Sequence, residues 1–346
     1  MQAVVQTRTG GPEVLEAQER PEPVLGEGDV RIAVRAAGLN FADTMARAGL
    51  YPHAPKPPCV LGYEVSGLVQ AIGPVVTKVQ VGQRVMAGTR FGGQAAVVVV
   101  PEDSVLPLPD ALSFEQGAAF VVNYATAYAA LHVLGGMREG DRVLIHAAAG
   151  GVGLAATQLA RNAGAAIFGT ASAGKHEVLR QHGVQHPIDY RSTDFAAEVR
   201  RLLGGQRRCL DLVIDALGPS TFRQDYGLLR TGGRLVMYGL SEAFDERGRN
   251  LRGLLRSMLR LPTATMPWWN PGRMLNTNRG VASMNLLTWW DRDGNLDRLI
   301  RPVLADLEAG RLEPVVSEVF PFSRAADGHR ALAERRNIGK VVLAPD

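Results

Sequence analysis

The chain has 346 residues, of which 46% are hydrophobic and 21% are charged, and its net charge is +4. This composition is that of a globular protein, and the length exceeds one typical hydrophobic core, so two domains are expected. No uninterrupted apolar run reaches the roughly 18 residues that a membrane span needs. The small positive charge, without basic tracts interleaved by aromatic residues, argues against a nucleic-acid partner.

The cysteine content and the first residues predict a cytoplasmic protein. Only two cysteines occur, Cys59 and Cys209, and their spacing is not that of a metal site. We therefore expect neither disulfides nor a structural zinc. Residues 1–6 resemble a strand rather than a targeting peptide with a charged head and an apolar middle.

The first 120 residues have the pattern of an all-β domain. Short apolar runs are separated by turn-forming glycine and proline residues, and the runs cover residues 30–36, 65–73, 84–87 and 94–100. Many short strands at this spacing predict a barrel-like domain over residues 1–121.

From residue 122 the pattern changes to alternating strands and helices. The predicted strands cover residues 142–147, 165–170, 186–189, 211–216, 233–238 and 281–286. This order predicts a doubly wound parallel sheet, a Rossmann domain, over residues 122–290. A helix over 295–309 and strand-like residues 315–320 and 340–343 follow, so residues 291–346 are expected to return to the first domain.

A glycine-rich turn follows the first strand of the second domain. The apolar run at 143–145 is typical of a buried parallel strand, and a helical stretch covers 154–162. The turn is a dinucleotide fingerprint with alanine in place of the first glycine, formed by Ala148, Gly150, Gly151, Val152 and Gly153. Its glycines let a pyrophosphate approach the backbone at the positive end of the helix. A glycine trio alone can be an ordinary tight turn, but strand, turn and helix in this order predict nucleotide binding.

The residues after the next strand indicate which nucleotide binds. An NAD enzyme would place an acidic residue near the end of strand 165–170, and none occurs there. Ser172, Lys175 and Tyr190 suit the dianionic 2′-phosphate of NADP instead, since charge-assisted hydrogen bonds are the stronger kind. The alternative is that Ser172 caps a helix and Lys175 is a surface charge, but capping does not explain the missing acid.

Two later strands end in turns that point to the same ligand. Leu217 follows the strand at 211–216, and Gly239 and Ser241 follow the strand at 233–238. Open α/β sheets bind ligands at the carboxyl ends of their strands, so these residues are expected to line the cofactor. Either turn alone could be a simple strand terminator.

The segment 250–274 is the least expected part of the chain. Apolar residues recur at helical spacing over 251–259, and Arg252, Arg256 and Arg260 recur on another face. A basic amphipathic helix next to tryptophans can lie on an anionic membrane surface. A lid over an apolar acceptor and a dimer contact are the alternatives, and co-sedimentation with anionic liposomes distinguishes them from membrane contact.

Several motifs along the whole chain resemble those of one known family. They cover residues 37–43, 49–52, 62–67, 81–85, 147–153 and 339–341. By these motifs the chain is similar to the medium-chain dehydrogenase/reductase superfamily, specifically its zinc-free quinone oxidoreductase branch. Residues 169–177 and 183–190 also resemble the vesicle amine transport protein homologues.

The resemblance implies a fold and an assembly. A GroES-like catalytic domain would be built from both chain ends, with NADP(H) in the cleft between it and the Rossmann domain. A homodimer would form through an edge strand near residues 281–287, which agrees with the tendency of unpaired hydrophobic edges to associate.

The resemblance also implies roles for individual residues. Asn40 would lie beside the nicotinamide and orient the acceptor oxygen, and Tyr51 matches a tyrosine that related enoyl reductases use as a proton donor. Thr126 would lie on the nicotinamide side, and Asn337 near the cofactor phosphates. The alternatives are a left-handed turn residue for Asn40, an aromatic plug for Tyr51 and a routine helix position for Thr126.

Departures from the zinc alcohol dehydrogenases of the superfamily argue against zinc chemistry. Those enzymes have a cysteine and a histidine where this chain has Asn40 and Tyr63, so no zinc is expected. Tyr63 would fill the volume of the lost histidine or line the acceptor pocket. His146, just before the glycine turn, is interpreted as a buried structural residue.

The sequence therefore predicts an NADPH-dependent reductase that transfers hydride to a small apolar acceptor, a quinone or an α,β-unsaturated carbonyl. One alternative is an enoyl-thioester reductase of a fatty acid or polyketide pathway, in which Arg252 and Arg256 would lie near the mouth of a phosphopantetheine groove. Another is a non-catalytic NADPH-binding protein that acts at membranes or in partner complexes.

Overall fold

A computed structural model describes residues 1–243 and 271–346 of the chain, which divide into two compact units. Residues 1–125 and 287–346 form the first unit, and residues 126–243 and 271–286 belong to the second. The first unit is therefore discontinuous in sequence, with both chain ends in one core.

The first unit is built mainly from antiparallel strands. Numbered in chain order, they are β1 Gln2–Gln6, β2 Leu15–Glu19, β3 Asp29–Leu39, β4 Cys59–Val60, β5 Glu64–Ile72, β6 Arg84–Gly88, β7 Val97–Pro101, β8 Val105–Pro107, β15 Val316–Pro321 and β16 Lys340–Ala344. One sheet has the order β15-β16-β3-β5-β6-β8, with β7 also paired to β3. A second sheet has the order β2-β1-β4.

The two chain ends meet in the larger sheet. Val341 of β16 pairs with Leu39 of β3, and both side chains are buried. Along β3, Val30, Ile32 and Val34 alternate into the same core, as the two-residue period of a strand requires. This pairing closes the discontinuous unit.

The second unit is a six-stranded parallel sheet. Its strands are β9 Arg142–Ile145, β10 Ala166–Ala171, β11 His186–Asp189, β12 Leu210–Asp215, β13 Leu229–Met237 and β14 Gly280–Ser283. They lie in the order β11-β10-β9-β12-β13-β14, and every neighbouring pair is parallel. The order reverses between β9 and β12, so ligands are expected at the carboxyl ends of these strands. The predicted doubly wound parallel sheet is confirmed.

The helices of the described residues connect these strands. They are Phe41–Arg47, Phe114–Gly117, Val121–Tyr128, Gly151–Asn162, His176–His182, Phe195–Leu202, Phe222–Leu228, Pro271–Thr277, Leu286–Asp293, Asp297–Glu308 and Ala325–Ala333, with a π-helical turn at Ala129–Leu134. The helix Phe195–Leu202 shows why such elements form. The Asp194 carboxylate accepts the Ala197 N–H at 2.9 Å, and Phe195 and Val199 pack into the core beneath the sheet.

The stretch Phe114–Leu134 is long and apolar enough, by length and composition alone, to cross a membrane. However, 72% of its most apolar window is buried inside the protein. Tyr124 and Leu131 are among its buried side chains. Burial in its own fold accounts for the apolar composition of this stretch.

Two strands end at least two residues earlier than the sequence predicts. β9 ends at Ile145 because Ala147, with a φ of 50°, already belongs to the turn. β14 ends at Ser283 because the unpredicted helix Leu286–Asp293 follows it closely. The amphipathic pattern over 251–260 lies outside the described residues, and of the segment 250–274 only residues 271–274 are described.

Candidate functional site

The turn after β9 has the geometry of a phosphate-binding loop. Gly150 is the N-cap of the helix Gly151–Asn162, with φ −80° and ψ 174°. A Cβ on Gly153 would lie 2.4 Å from the carbonyl oxygen of Ala147, so only glycine lets the helix pack against the turn. Residues 150–152 are partly exposed at the helix N-terminus, where backbone N–H groups can bind an anion.

The carboxyl end of β10 is held against this turn. Ala148 donates its backbone N–H to the carbonyl oxygen of Thr170 at 3.0 Å. Ser172 follows β10 as the N-cap of the short 3-10 turn Ala173–Lys175, yet its hydroxyl makes no capping hydrogen bond. The capping interpretation of Ser172 is therefore wrong.

Lys175 lies close to a second cation, Arg191. Burial lowers the pKa of Lys175, and the positive charge of Arg191 lowers it further. The Arg191 guanidinium lies 6.0 Å from the ring centre of Tyr190, which is 44% exposed. A dianion bound here would relieve the repulsion between the two cations.

The turns after β12 and β13 are bound to each other. Asp215 accepts the backbone N–H of Leu217, and Ser241 donates its N–H to the carbonyl oxygen of Ala216 at 3.0 Å. A Cβ on Gly239 would lie 2.7 Å from that same oxygen. Leu217, Gly239 and Ser241 thus lie together at the carboxyl edge of the sheet.

A buried charged cluster lies at the carboxyl ends of β9, β10 and β12. The Nε2 atom of His146 lies 2.9 Å from Oδ1 of Asp225, and its Nδ1 lies 3.0 Å from Oγ1 of Thr170. Asp215 completes the cluster, and the ligand atoms of the three titratable residues lie within 4.8 Å of one another. Both ring nitrogens of His146 are already engaged, so the imidazole has no free lone pair for a metal ion. His146 is a buried structural residue, as interpreted from the sequence.

Burial controls the protonation of this cluster. It raises the pKa of Asp215 to about 7, and the neighbouring Asp225 contributes to the rise. Burial also lowers the pKa of His146, but the charge of Asp225 and its hydrogen bond outweigh burial, and the net shift is upward. The cluster therefore retains protons near neutral pH that an isolated carboxyl pair would release.

In the first unit, Asn40 belongs to a buried polar network. It is the N-cap of the helix Phe41–Arg47 with a φ of −113°, so the left-handed alternative is wrong. Its Nδ2 donates to Oε1 of Glu64 at 3.0 Å, and its Oδ1 accepts from Nζ of Lys340 at 2.7 Å. The amide is thus held on both sides.

Lys340 and Glu64 form an ion pair at the centre of this network, with side chains 3% and 0% exposed. The Lys340 ammonium also donates to Oδ1 of Asn123 at 3.3 Å, and the second Glu64 oxygen accepts the Val122 N–H at 2.9 Å. Sequence reasoning missed the pair. Glu64 and Lys340 lie in the motifs at 62–67 and 339–341, but a motif does not show that residues 276 positions apart are in contact.

Aromatic side chains lie close to the network. The ring centre of Tyr63 is 6.4 Å from that of Tyr51 and 5.1 Å from that of Phe91. Tyr63 is only 5% exposed, whereas Tyr51 is partly exposed. Burial raises the pKa of Tyr63, and the charge of Asp43 raises it further.

Thr126 and Asn337 are both buried. Thr126 lies within the helix Val121–Tyr128 and is 7% exposed. Asn337 donates its Nδ2 to the carbonyl oxygen of Gly339 at 2.6 Å, which stabilises the turn before β16. The cofactor and catalytic roles of the residues named in this subsection remain predictions.

Asn40 and Tyr63 stand where the zinc alcohol dehydrogenases have a cysteine and a histidine ligand. The Asn40 amide is held beside the buried ammonium of Lys340, which would repel a divalent cation. Tyr63 offers a phenol whose raised pKa keeps it neutral, and burial likewise raises the pKa of the Cys59 thiol. Zinc sites in proteins use thiolate, imidazole or carboxylate ligands, and neither Asn40 nor Tyr63 supplies one of these groups.

Comparisons with known proteins agree with this architecture. Family models described as "Alcohol dehydrogenase GroES-like domain" and "Zinc-binding dehydrogenase" match residues 26–110 and 182–343. The synaptic vesicle membrane protein VAT-1 homolog of Rattus norvegicus is 40% identical to this chain over an alignment 354 residues long. The alignment covers 100% of this chain and 84% of the relative.

Two solved structures are similar over their full length. The quinone oxidoreductase of Escherichia coli complexed with NADPH has a TM-score of 0.83 at 28% identity and covers 100% of both chains. The CurK enoyl reductase has a TM-score of 0.82 at 26% identity and covers 100% of this chain and 99% of that one. The GroES-like and Rossmann folds predicted from the sequence are confirmed.

Proposed function

The chain belongs to the medium-chain dehydrogenase/reductase superfamily, and we propose that within it this oxidoreductase reduces a quinone or an α,β-unsaturated carbonyl with NADPH and without zinc. The observation that carries the proposal is a phosphate-binding turn at the switch point of the sheet, next to the paired ends of β10 and β11, which are followed by the cations Lys175 and Arg191. The NADPH complex of a structural neighbour supports the choice of cofactor.

The residues of the second unit fit the parts of NADPH. Residues 150–153 would hold the pyrophosphate, and Ser172, Lys175 and Tyr190 the 2′-phosphate. Leu217, Gly239 and Ser241 would line the nucleotide along the ends of β12 and β13. When bound, NADPH supplies a hydride from C4 of its nicotinamide.

Asn40 is the group of the first unit that we assign to the acceptor oxygen. One hydrogen of its Nδ2 is used by Glu64, whereas the contact of Nδ2 to the Gly38 carbonyl is long, at 3.4 Å. That second hydrogen is therefore available to an acceptor oxygen as negative charge develops there. The Lys340 ammonium on Oδ1 polarises the amide and makes it a better donor.

An enoyl-thioester reductase is the second candidate. The similarity to the CurK enoyl reductase favours it, and so does Tyr51, whose partial exposure allows its phenol to exchange a proton with water. In that reaction Tyr51 would protonate the product carbon.

Parallel assays separate the candidates. NADPH and NADH oxidation is followed by absorbance with an ortho-quinone and with a crotonyl thioester. Turnover of the quinone with NADPH preferred is expected. Turnover of the thioester alone would assign the chain to the enoyl reductases, and NADPH binding without turnover of either would favour the non-catalytic alternative.

We also propose a cytoplasmic homodimer that forms through β14. This strand ends the described sheet and pairs only with β13 among the described residues. A sheet edge of this kind is open to pairing with a second copy. Sedimentation equilibrium is expected to give twice the chain mass, and a monomer at micromolar concentration would contradict the dimer.

A further inference from the structure

The side-chain hydroxyl of Tyr63 makes no hydrogen bond among the described residues, although the polar groups around it do. The hydroxyl is also buried. Its polar neighbours are already engaged. Both carboxylate oxygens of Asp43 accept backbone N–H groups, from Asn40 at 2.8 Å and from Gly62 at 2.9 Å.

An unsatisfied buried hydroxyl destabilises a protein unless something else meets it. A phenylalanine would fill the same volume without this cost. Simple filling of the space left by a lost histidine therefore does not explain why the residue is tyrosine. The hydroxyl needs a partner that belongs to neither the backbone nor the side chains described around it.

We propose that the Tyr63 hydroxyl donates a hydrogen bond to the carbonyl oxygen of the acceptor, a quinone or an α,β-unsaturated carbonyl. This role rests on the proposed function. The ring of Tyr63 lies beside that of Tyr51. The Asp43 carboxylate accepts the backbone N–H groups of both Asn40 and Gly62, so it ties the backbone just before Tyr63 to the backbone of Asn40. Tyr63 and Asn40 would thus supply two donors to one oxygen, as an oxyanion hole does.

The hydroxyl acts as a hydrogen-bond donor and not as an acid. Burial raises the pKa of Tyr63, and the charges of Asp43, Tyr51 and Cys59 act in the same direction. Transfer of the hydride to carbon moves the carbonyl π pair onto oxygen. The neutral phenol stabilises that oxygen, and the proton that completes the product comes from water.

The variant Tyr63→Phe tests this role, because it removes one oxygen and preserves the volume. We expect kcat/KM for an ortho-quinone to fall at least about tenfold, as when one oxyanion-hole donor is lost. The KM for NADPH should change less than about twofold, because the substitution removes an interaction with the acceptor and none with the cofactor. The thermal midpoint should stay the same or rise, because the unsatisfied hydroxyl is gone.

The matched control is Tyr226→Phe, at a buried tyrosine of the second unit whose hydroxyl lies 3.5 Å from Oγ1 of Thr277. It should leave quinone turnover unchanged. Unchanged turnover by Tyr63→Phe would overturn the proposal, and so would a lower midpoint with equal losses for NADPH and quinone. No turnover by the unsubstituted chain would instead overturn the proposed function itself.

Discussion

The ammonium of Lys340 dominates the electrostatics around Asn40. It lies 2.7 Å from the amide oxygen and is compensated by Glu64, and the side chains of the ion pair are almost fully buried. A buried ion pair of this kind contributes little net stability, but loss of one partner leaves a buried charge uncompensated. The pair therefore holds the Asn40 amide in place, and substitution of either partner alone is expected to destabilise the protein.

Lys340→Met should lower the free energy of unfolding by about 3–5 kcal/mol, because Glu64 is left charged and buried. Urea titration measures the loss. The control Lys78→Met breaks an ion pair with Asp103 whose side chains are 63% and 60% exposed, so a loss under about 1 kcal/mol is expected. Adding Glu64→Leu to Lys340→Met should recover part of the stability. Equal losses for the two single variants would contradict a buried charged pair.

Asp215 makes stability depend on pH. Its pKa rises from 3.8 to about 7 on folding because the carboxyl is buried, so between these values the folded chain binds a proton that the unfolded chain has released. The free energy of unfolding should therefore decrease as pH rises from about 4 to 7. Burial also raises the pKa of Asp43 to about 7, so this carboxyl should likewise lower the free energy of unfolding as pH rises over the same range.

Asp215→Asn should reduce this pH dependence to the part that Asp43 contributes, because the amide imitates the protonated carboxyl at every pH. Thermal melts at several pH values measure the slope. The control Asp327→Asn should leave the slope above pH 4 unchanged, since hydrogen bonds from Arg324 and Arg330 hold the pKa of Asp327 below 3.8. A slope for Asp215→Asn equal to that of the unsubstituted chain would refute the assignment.

At the scale of elements, phosphate binding depends on the close packing of the turn at 147–150 against the helix Gly151–Asn162, whose N-terminus would bind the phosphate. Gly153→Ala would place a Cβ 2.4 Å from a backbone oxygen, so the turn must shift. The Kd for NADPH, measured by fluorescence titration, should rise at least about tenfold, which corresponds to about 1.4 kcal/mol. The control is Gly227→Ala in the helix Phe222–Leu228, where the nearest atom that the added Cβ would meet is an Arg200 nitrogen at 4.0 Å. This substitution should leave the Kd for NADPH unchanged. A similar effect of both substitutions would argue against a phosphate site.

The end of β10 should decide between the two nicotinamide cofactors. Lys175→Met is expected to raise the KM for NADPH about tenfold or more and to leave the KM for NADH unchanged, because only NADPH carries the 2′-phosphate. Steady-state rates with each cofactor measure the difference. Arg180→Met, at an exposed cation on the helix His176–His182, is the control. Equal changes for the two cofactors would place the phosphate elsewhere.

For the whole molecule, what the sequence predicts depends on the distance between the residues involved. The turn at 148–153 is local, so its glycines and flanking elements reveal it. The strands that contain residues 143–145 and 341–343 follow from short apolar runs. The contacts of Lys340 with Glu64 and of His146 with Asp225 join residues 276 and 79 positions apart. Periodicity carries no information about such pairs, which only the assembled fold brings together.

The central claim is that the chain transfers hydride from NADPH to a conjugated acceptor, and isotope transfer tests it most directly. The protein is incubated with NADPH deuterated at C4 of the nicotinamide and an α,β-unsaturated ketone, and the product is analysed by mass spectrometry. The account predicts one deuterium at the β-carbon of the saturated ketone, with the label transferred from one face of the nicotinamide. A saturated product without deuterium would contradict it, and so would NADPH binding without oxidation of the cofactor by either this ketone or an ortho-quinone.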